Sequence, residues 1–149
     1  LREMLEKIRR EYDVIFIDCQ PSLGLLTINA LAAADSVIIP LQADYLAMKG
    51  VDLLLRTVSQ VQRKLNRNLR IDGVLLTMAD IRTVHARDVI AAARSALNGM
   101  VKVFDTVVRL NVKVKEAPMT GKSVLAYAGD TPAAIAYRQL AEELEECLQ

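Results

Sequence analysis

The sequence predicts an α/β fold in which a parallel sheet is flanked by helices. Short, wholly apolar runs such as Val14-Ile15-Phe16-Ile17 and Val37-Ile38-Ile39 alternate with longer stretches whose apolar residues recur every three or four positions. Runs with no polar alternation suit strands covered on both faces, as in parallel sheets. Hydrophobic residues make up 52% of the 149 residues and aromatics only 4%, so one core of Val, Ile, Leu and Ala is expected.

Each element follows from this pattern. Leu1, Met4, Leu5 and Ile8 have helical spacing over residues 1–11. Residues 14–17 read as a buried strand with Asp18 at its tip, broken by Gln20-Pro21-Ser22. A helix over 23–34 stops before Asp35, and a second buried strand over 36–39 is closed by Pro40. A long helix over 46–65 leads through the turn Asn66-Arg67-Asn68 to a third strand over 71–78. An Ala-rich helix over 83–97 and a fourth strand over 101–108 follow. Residues 116–121 read as loop, with Pro118 and Gly121 as breakers. The last helix, over 132–148, has Thr131 as N-cap and Pro132 at its first position. The chain carries no repeat, low-complexity tract or linker, so a single domain over 1–149 is expected. Ligands of such folds sit beyond the carboxyl ends of the strands, which directs attention to residues 18–24, 40–45, 77–82 and 109–121.

Charge and cysteine content narrow the partners. The net charge is +1, but residues 80–122 hold eight Lys or Arg (Arg82, Arg87, Arg94, Lys102, Arg109, Lys113, Lys115, Lys122) against four acids. That basic stretch is either a solvated face or a surface for phosphates, whether of a nucleotide or of DNA. Cys19 and Cys147 form no metal-binding pattern, and Cys19 is expected to be a buried, reduced thiol, as in the cytoplasm. No apolar run approaches the roughly 18 residues of a membrane span. The start at Leu1, inside a helical pattern and without Met or a signal segment, reads as cut from something longer.

Asp18 is the first candidate for chemistry. Four apolar residues followed by Asp at a strand tip make a pattern like that of a Walker B carboxylate, which orders Mg²⁺ directly or through water. The alternative is an Asp that merely caps a turn. Gly121-Lys122-Ser123 imitates the tail of a phosphate-binding loop, but Glu116 stands where the first glycine is required, and the chain has no other GxxxxGK[ST] segment. Ser22 lies in no nucleophile elbow, and His85, the only histidine, reads as a surface or helix-cap residue rather than part of a triad.

Several ordered motifs carry a resemblance. Residues 12–31, with Asp18-Cys19-Gln20-Pro21-Ser22-Leu23-Gly24 at their centre, resemble the switch II region of the ParA/Soj chromosome- and plasmid-partitioning P-loop ATPases. Ala34-Asp35-Ser36-Val37-Ile38-Ile39-Pro40-Leu41-Gln42-Ala43-Asp44-Tyr45, Gly73-Val74-Leu75-Leu76-Thr77-Met78, Asn111-Val112-Lys113 with Glu116-Ala117-Pro118 and Gly121-Lys122, and the helix from Ala136 to Glu143 continue it in order. Gln20 departs from the family's Pro, and Arg109-Leu110 from its Pro-Arg.

The resemblance implies a deviant-Walker-A fold, like that of ParA and MinD, lacking its N-terminal part. By it, Asp18 serves Mg²⁺; Pro21, Ser22 and Gly24 belong to switch II. Thr77, Met78, Asn111 and Val112 hold the adenine and ribose. Lys113 is a DNA contact, with Arg82, Arg87 and Arg94 as further candidates. The intact parent is expected to use ATP and Mg²⁺, to form an ATP-dependent dimer on non-specific DNA, and to be stimulated by a ParB-like partner on the cytoplasmic nucleoid. The catalytic residues are expected outside this chain, which without a phosphate loop should neither bind ATP tightly nor hydrolyse it. Missing sheet neighbours imply open strand edges and self-association. The alternatives are a non-enzymatic DNA-binding or dimerisation module and a MinD-like membrane-surface ATPase. The acidic end Glu142-Glu143-Leu144-Glu145-Glu146 opposes the last of these.

Overall fold

A computed structural model describes residues 1–81 and 83–148, except the side chains at 45, 46, 48, 147 and 148. Its elements are α1 (Arg2–Leu5), a 3₁₀ turn (Arg9–Glu11), α2 (Leu25–Ala33), β1 (Ser36–Gln42), α3 (Tyr45–Lys64), β2 (Arg70–Ala79), α4 (Val84–Leu97), β3 (Val103–Arg109), α5 (Val112–Glu116), a 3₁₀ turn (Ala117–Thr120), α6 (Val124–Tyr127) and α7 (Pro132–Leu148). The strands form a parallel sheet in the order β1-β2-β3, with helices as the crossovers. No described helix is long and apolar enough to cross a membrane.

The described residues fall into two compact units, Leu1–Val37 with Gly50–Ile71 and Ile38–Lys49 with Asp72–Gln149. In the first, Leu31 of α2, Val58 and Val61 of α3, and Leu69 make a buried cluster against Ile28, Leu54 and Ile71. Asn66 is buried beside it, and its Nδ2 donates to Leu31 O at 3.0 Å and Ala34 O at 2.7 Å. It thereby caps the carboxyl end of α2, whose last carbonyls have no partners within the helix.

In the second unit, Leu75 of β2, Phe104 and Val108 of β3, and Ala136 and Leu140 of α7 form the core. Phe104 is fully buried over Gly73, where an added Cβ would lie 2.8 Å from Phe104 Cε2. The glycine is therefore required by a close approach.

The β2–β3 register is interrupted twice. Between the pairs Val74–Val103 and Leu76–Val107, β3 spends four residues where β2 spends two. Between Leu76–Val107 and Ala79–Arg109, β2 spends three where β3 spends two. The second bulge contains Met78, a non-glycine residue at φ 54°.

Several expectations are corrected. The helix over 1–11 is two short pieces. Residues 14–17 belong to no described strand, and Val14 and Phe16 are 59% and 81% exposed. An apolar run becomes a strand only by pairing, and no described strand runs beside this one. Cys19, at the end of the run, is exposed rather than buried.

Pro40 does not end β1 but lies within it. Asp35 O accepts from Arg70 N–H and Ala43 N–H donates to Thr77 O, so alternate odd-numbered positions face β2. Pro40 then points its missing N–H to the open edge, where a strand tolerates proline. Residues 116–121 are helical rather than loop: Pro118 sits in the first turn of a 3₁₀ segment, and Gly121 at φ 65° ends it. The fourth expected strand is β3, the third of those that form.

Candidate functional site

The Asp18 segment is a tight turn leading into α2. Ser22 N–H donates to Gln20 O at 2.7 Å around Pro21, and the buried Thr27 Oγ1 donates to Ser22 O at 2.6 Å. Gly24 is the N-cap of α2 and no side chain caps this helix. The first-turn N–H groups are thus open to an anion, as helix N-termini commonly are. Asp18, Pro21, Ser22 and Gly24 are all exposed.

Among the described residues, no group of three or more His, Cys, Asp or Glu forms a cage for a metal ion. A lone exposed carboxylate fits Mg²⁺, which keeps water and nucleotide phosphates as most of its ligands. Asp18 would supply the protein's share of that shell.

In the second unit, the carboxyl ends of β2 and β3 meet. Leu110 N–H donates to Ala79 O at 3.1 Å, and Ala43 N–H donates to Thr77 O at 3.0 Å. Thr77 and Met78 are thus held beside the start of the Asn111 segment. The bulge turns Met78 outward, half exposed, in a conformation that costs a non-glycine residue about 1–3 kcal/mol. Asn111 is the N-cap of α5, its Oδ1 accepting from Lys113 N–H at 2.9 Å, and no described group engages its Nδ2. Val112 is largely exposed beside it. Two apolar side chains and an amide donor at a bulged strand end can grip a flat heteroaromatic base.

The basic candidates separate. Lys113 Nζ lies 2.9 Å from Glu116 Oε2 and 5.6 Å from the Tyr127 ring centroid. The hydrogen bond to Glu116, and then the charge of Glu116, raise the Lys113 pKa. The Glu116 carboxyl is held low first by Lys113 and then by the Tyr127 hydroxyl, at 3.1 Å. Arg94 donates to Phe104 O, Asp105 O and Asp105 Oδ1, so it ties α4 to β3. Arg87 is exposed on α4, and Arg82 lies outside the described residues. His85 is exposed in the first turn of α4, which Thr83 caps. Gly121-Lys122-Ser123 joins two helical segments, with Ser123 capping α6, and follows no strand as a phosphate loop would.

Sequence reasoning missed Thr27, Tyr127 and Glu143. Thr27 sits inside an apolar helix pattern and Glu143 inside an acidic run, and neither setting marks them.

A family model described as an AAA domain matches residues 1–71. The chain is 47% identical over 144 residues to the sporulation initiation inhibitor protein Soj of Bacillus subtilis, which spans 97% of this chain and 56% of that protein. It is 44% identical over 144 residues to the chromosome-partitioning ATPase Soj of Treponema pallidum, with the same coverage of 97% and 56%. A cobyrinic acid a,c-diamide synthase structure from Mycobacterium smegmatis, with a bound ATP analogue and magnesium, matches at TM-score 0.75 and 37% identity over 95% of this chain and 50% of that one. The chain spans about half the length of the curated relatives it matches.

Proposed function

From a chain that belongs by sequence to the Soj/ParA family of chromosome-partitioning ATPases, we propose that it supplies the switch and base-recognition side of an ATP site. The observation that carries the reading is the meeting of the bulged end of β2, with Met78 turned outward, and the Asn111 cap of α5. Thr77, Met78, Asn111 and Val112 take the adenine and ribose. Asp18 serves Mg²⁺ through water, while Pro21, Ser22 and Gly24 respond to the terminal phosphate at the amino end of α2. Thr27 holds that turn through Ser22 O. The fit of a related fold to an ATP analogue with magnesium supports this assignment.

In the whole protein, ATP closes a dimer that binds DNA non-specifically, and a ParB-like partner stimulates hydrolysis on the nucleoid. Arg87 is an exposed cation able to meet phosphates, whereas Lys113, paired with Glu116, and Arg94, tied to β3, must first give up those partners. The chain by itself has no GxxxxGK[ST] loop and so hydrolyses ATP no faster than buffer.

Grafting this chain in place of the 144 aligned residues of the Bacillus subtilis relative tests the reading. The graft should show Mg²⁺-dependent ATP hydrolysis, and Asp18→Asn should lower it at least tenfold while the fold is kept. A folded graft whose turnover is indifferent to Asp18→Asn would refute the role of Asp18.

A further inference from the structure

The outer edge of β3 is occupied by side chains. β3 ends the described sheet, and its register slips between Val103 and Val107, so that Phe104, Asp105 and Thr106 fall between the two pairings with β2. From α4, Arg94 Nη2 donates to Phe104 O at 3.1 Å and Asp105 O at 3.0 Å, while Nη1 reaches Asp105 Oδ1 at 3.2 Å. From α7, Glu143 accepts from Asp105 N–H through Oε2 at 2.9 Å and from Thr106 N–H through Oε1 at 2.8 Å. A cation thus covers two adjacent carbonyls and an anion covers two adjacent N–H groups. Those are the groups an incoming strand would need.

We propose that Arg94 and Glu143 form a clamp that closes the β3 edge against a second copy of this chain. β3 reads Val-Phe-Asp-Thr-Val-Val-Arg, rich in residues that favour strands. A twofold pairing of two β3 edges is antiparallel and self-complementary. Centred on Val107, that register sets Asp105 of one copy against Arg109 of the other, and both residues are exposed. Strand preference and charge complementarity therefore favour the second copy, and the clamp occupies the backbone groups it would use. The inference rests on the edge geometry and is independent of the nucleotide site.

The test compares the wild-type chain with Arg94→Ala/Glu143→Ala by sedimentation velocity and by amide hydrogen exchange over a concentration series. The clamp predicts that the weight-average mass of the double variant rises with concentration toward twice that of the wild-type chain, with β3 amides gaining protection in parallel. Adding Arg109→Asp should reverse both effects, because like charges then face each other. Association of the wild-type chain at other surfaces raises the mass baseline but does not protect β3. A folded double variant with unchanged mass and no concentration-dependent β3 protection overturns the proposal. If circular dichroism shows the double variant unfolded, Glu143→Gln decides on the same readouts. Self-association with concentration-dependent β3 protection in that variant supports the clamp, and its absence in the folded variant overturns the clamp.

Discussion

Replacing Asn66 with alanine removes the cap that ends α2, the helix that begins at the switch-like turn. Nδ2 of Asn66 makes two hydrogen bonds, to Leu31 O and Ala34 O, in a side chain only 7% exposed. Each is worth about 0.5–1.5 kcal/mol net, and a buried carbonyl left without a partner costs about 1–3 kcal/mol. Leu31 is buried, whereas Ala34 is half-buried and can take water instead. The combined loss is about 2–4 kcal/mol, a large share of the roughly 5–15 kcal/mol of an ordinary domain.

Asn66→Asp sharpens the test. A carboxylate cannot donate, and it adds negative charge at the carboxyl end of a helix, where the dipole already points negative. Urea unfolding followed by circular dichroism should therefore rank wild type above Asn66→Ala and Asn66→Ala above Asn66→Asp. An Asn66→Asp chain as stable as wild type, or an alanine cost under about 0.5 kcal/mol, would refute the capping role.

Three further outcomes are expected. Gly73→Ala forces its Cβ against the Phe104 ring and should cost about 1–3 kcal/mol in thermal unfolding; Phe104→Leu in the same chain should recover part of it, so the two changes are non-additive. Met78→Gly relieves the left-handed backbone and should leave stability unchanged or raise it by about 1 kcal/mol, yet weaken fluorescent ATP binding in the graft; Met78→Ile should be destabilising. Burial opposes ionisation of Glu143, but hydrogen bonds from the Thr106 hydroxyl and from the Asp105 and Thr106 N–H groups, with the charge of Lys102, outweigh it and hold the carboxyl low. Its contribution is therefore complete above the ordinary glutamate pKa of about 4.3 and lost as pH falls through the lower folded value, so Glu143→Gln should flatten the acid limb of stability against pH.

The alternation of helices and strands was legible because periodicity is a local property, and β1, β2 and β3 lie within a few residues of where the apolar runs place them. Pairing is not local. Residues 14–17 have every strand preference and no described neighbour, and the fate of Pro40 depends on which alternate positions face β2. The Met78 bulge arises from a mismatch between two strands, so neither strand alone encodes it visibly. Pro118 and Gly121 were read as breakers of structure, whereas they begin and end a short helical turn.

Of the candidate site residues, Asp18 stood out by its own pattern, whereas Thr77, Met78 and Asn111 lie in stretches that the strand ends pointed to and took a role only from the resemblance. The charges were harder. Lys113 stood first and Arg94 among the further candidates in the sequence, but both cations have partners, Glu116 one turn along α5 and Asp105 on β3 respectively. Glu143 was hidden among solvated glutamates, and only its reach to the β3 backbone distinguishes it.

The central claim is that this chain forms the base side of an ATP site, and photolabelling of the graft with 8-azido-ATP addresses it most directly. Competable label should fall on the tryptic peptides spanning 71–82 and 110–113, which contain Thr77, Met78, Asn111 and Val112. Label that ATP displaces but that lies wholly outside those two peptides would contradict the assignment.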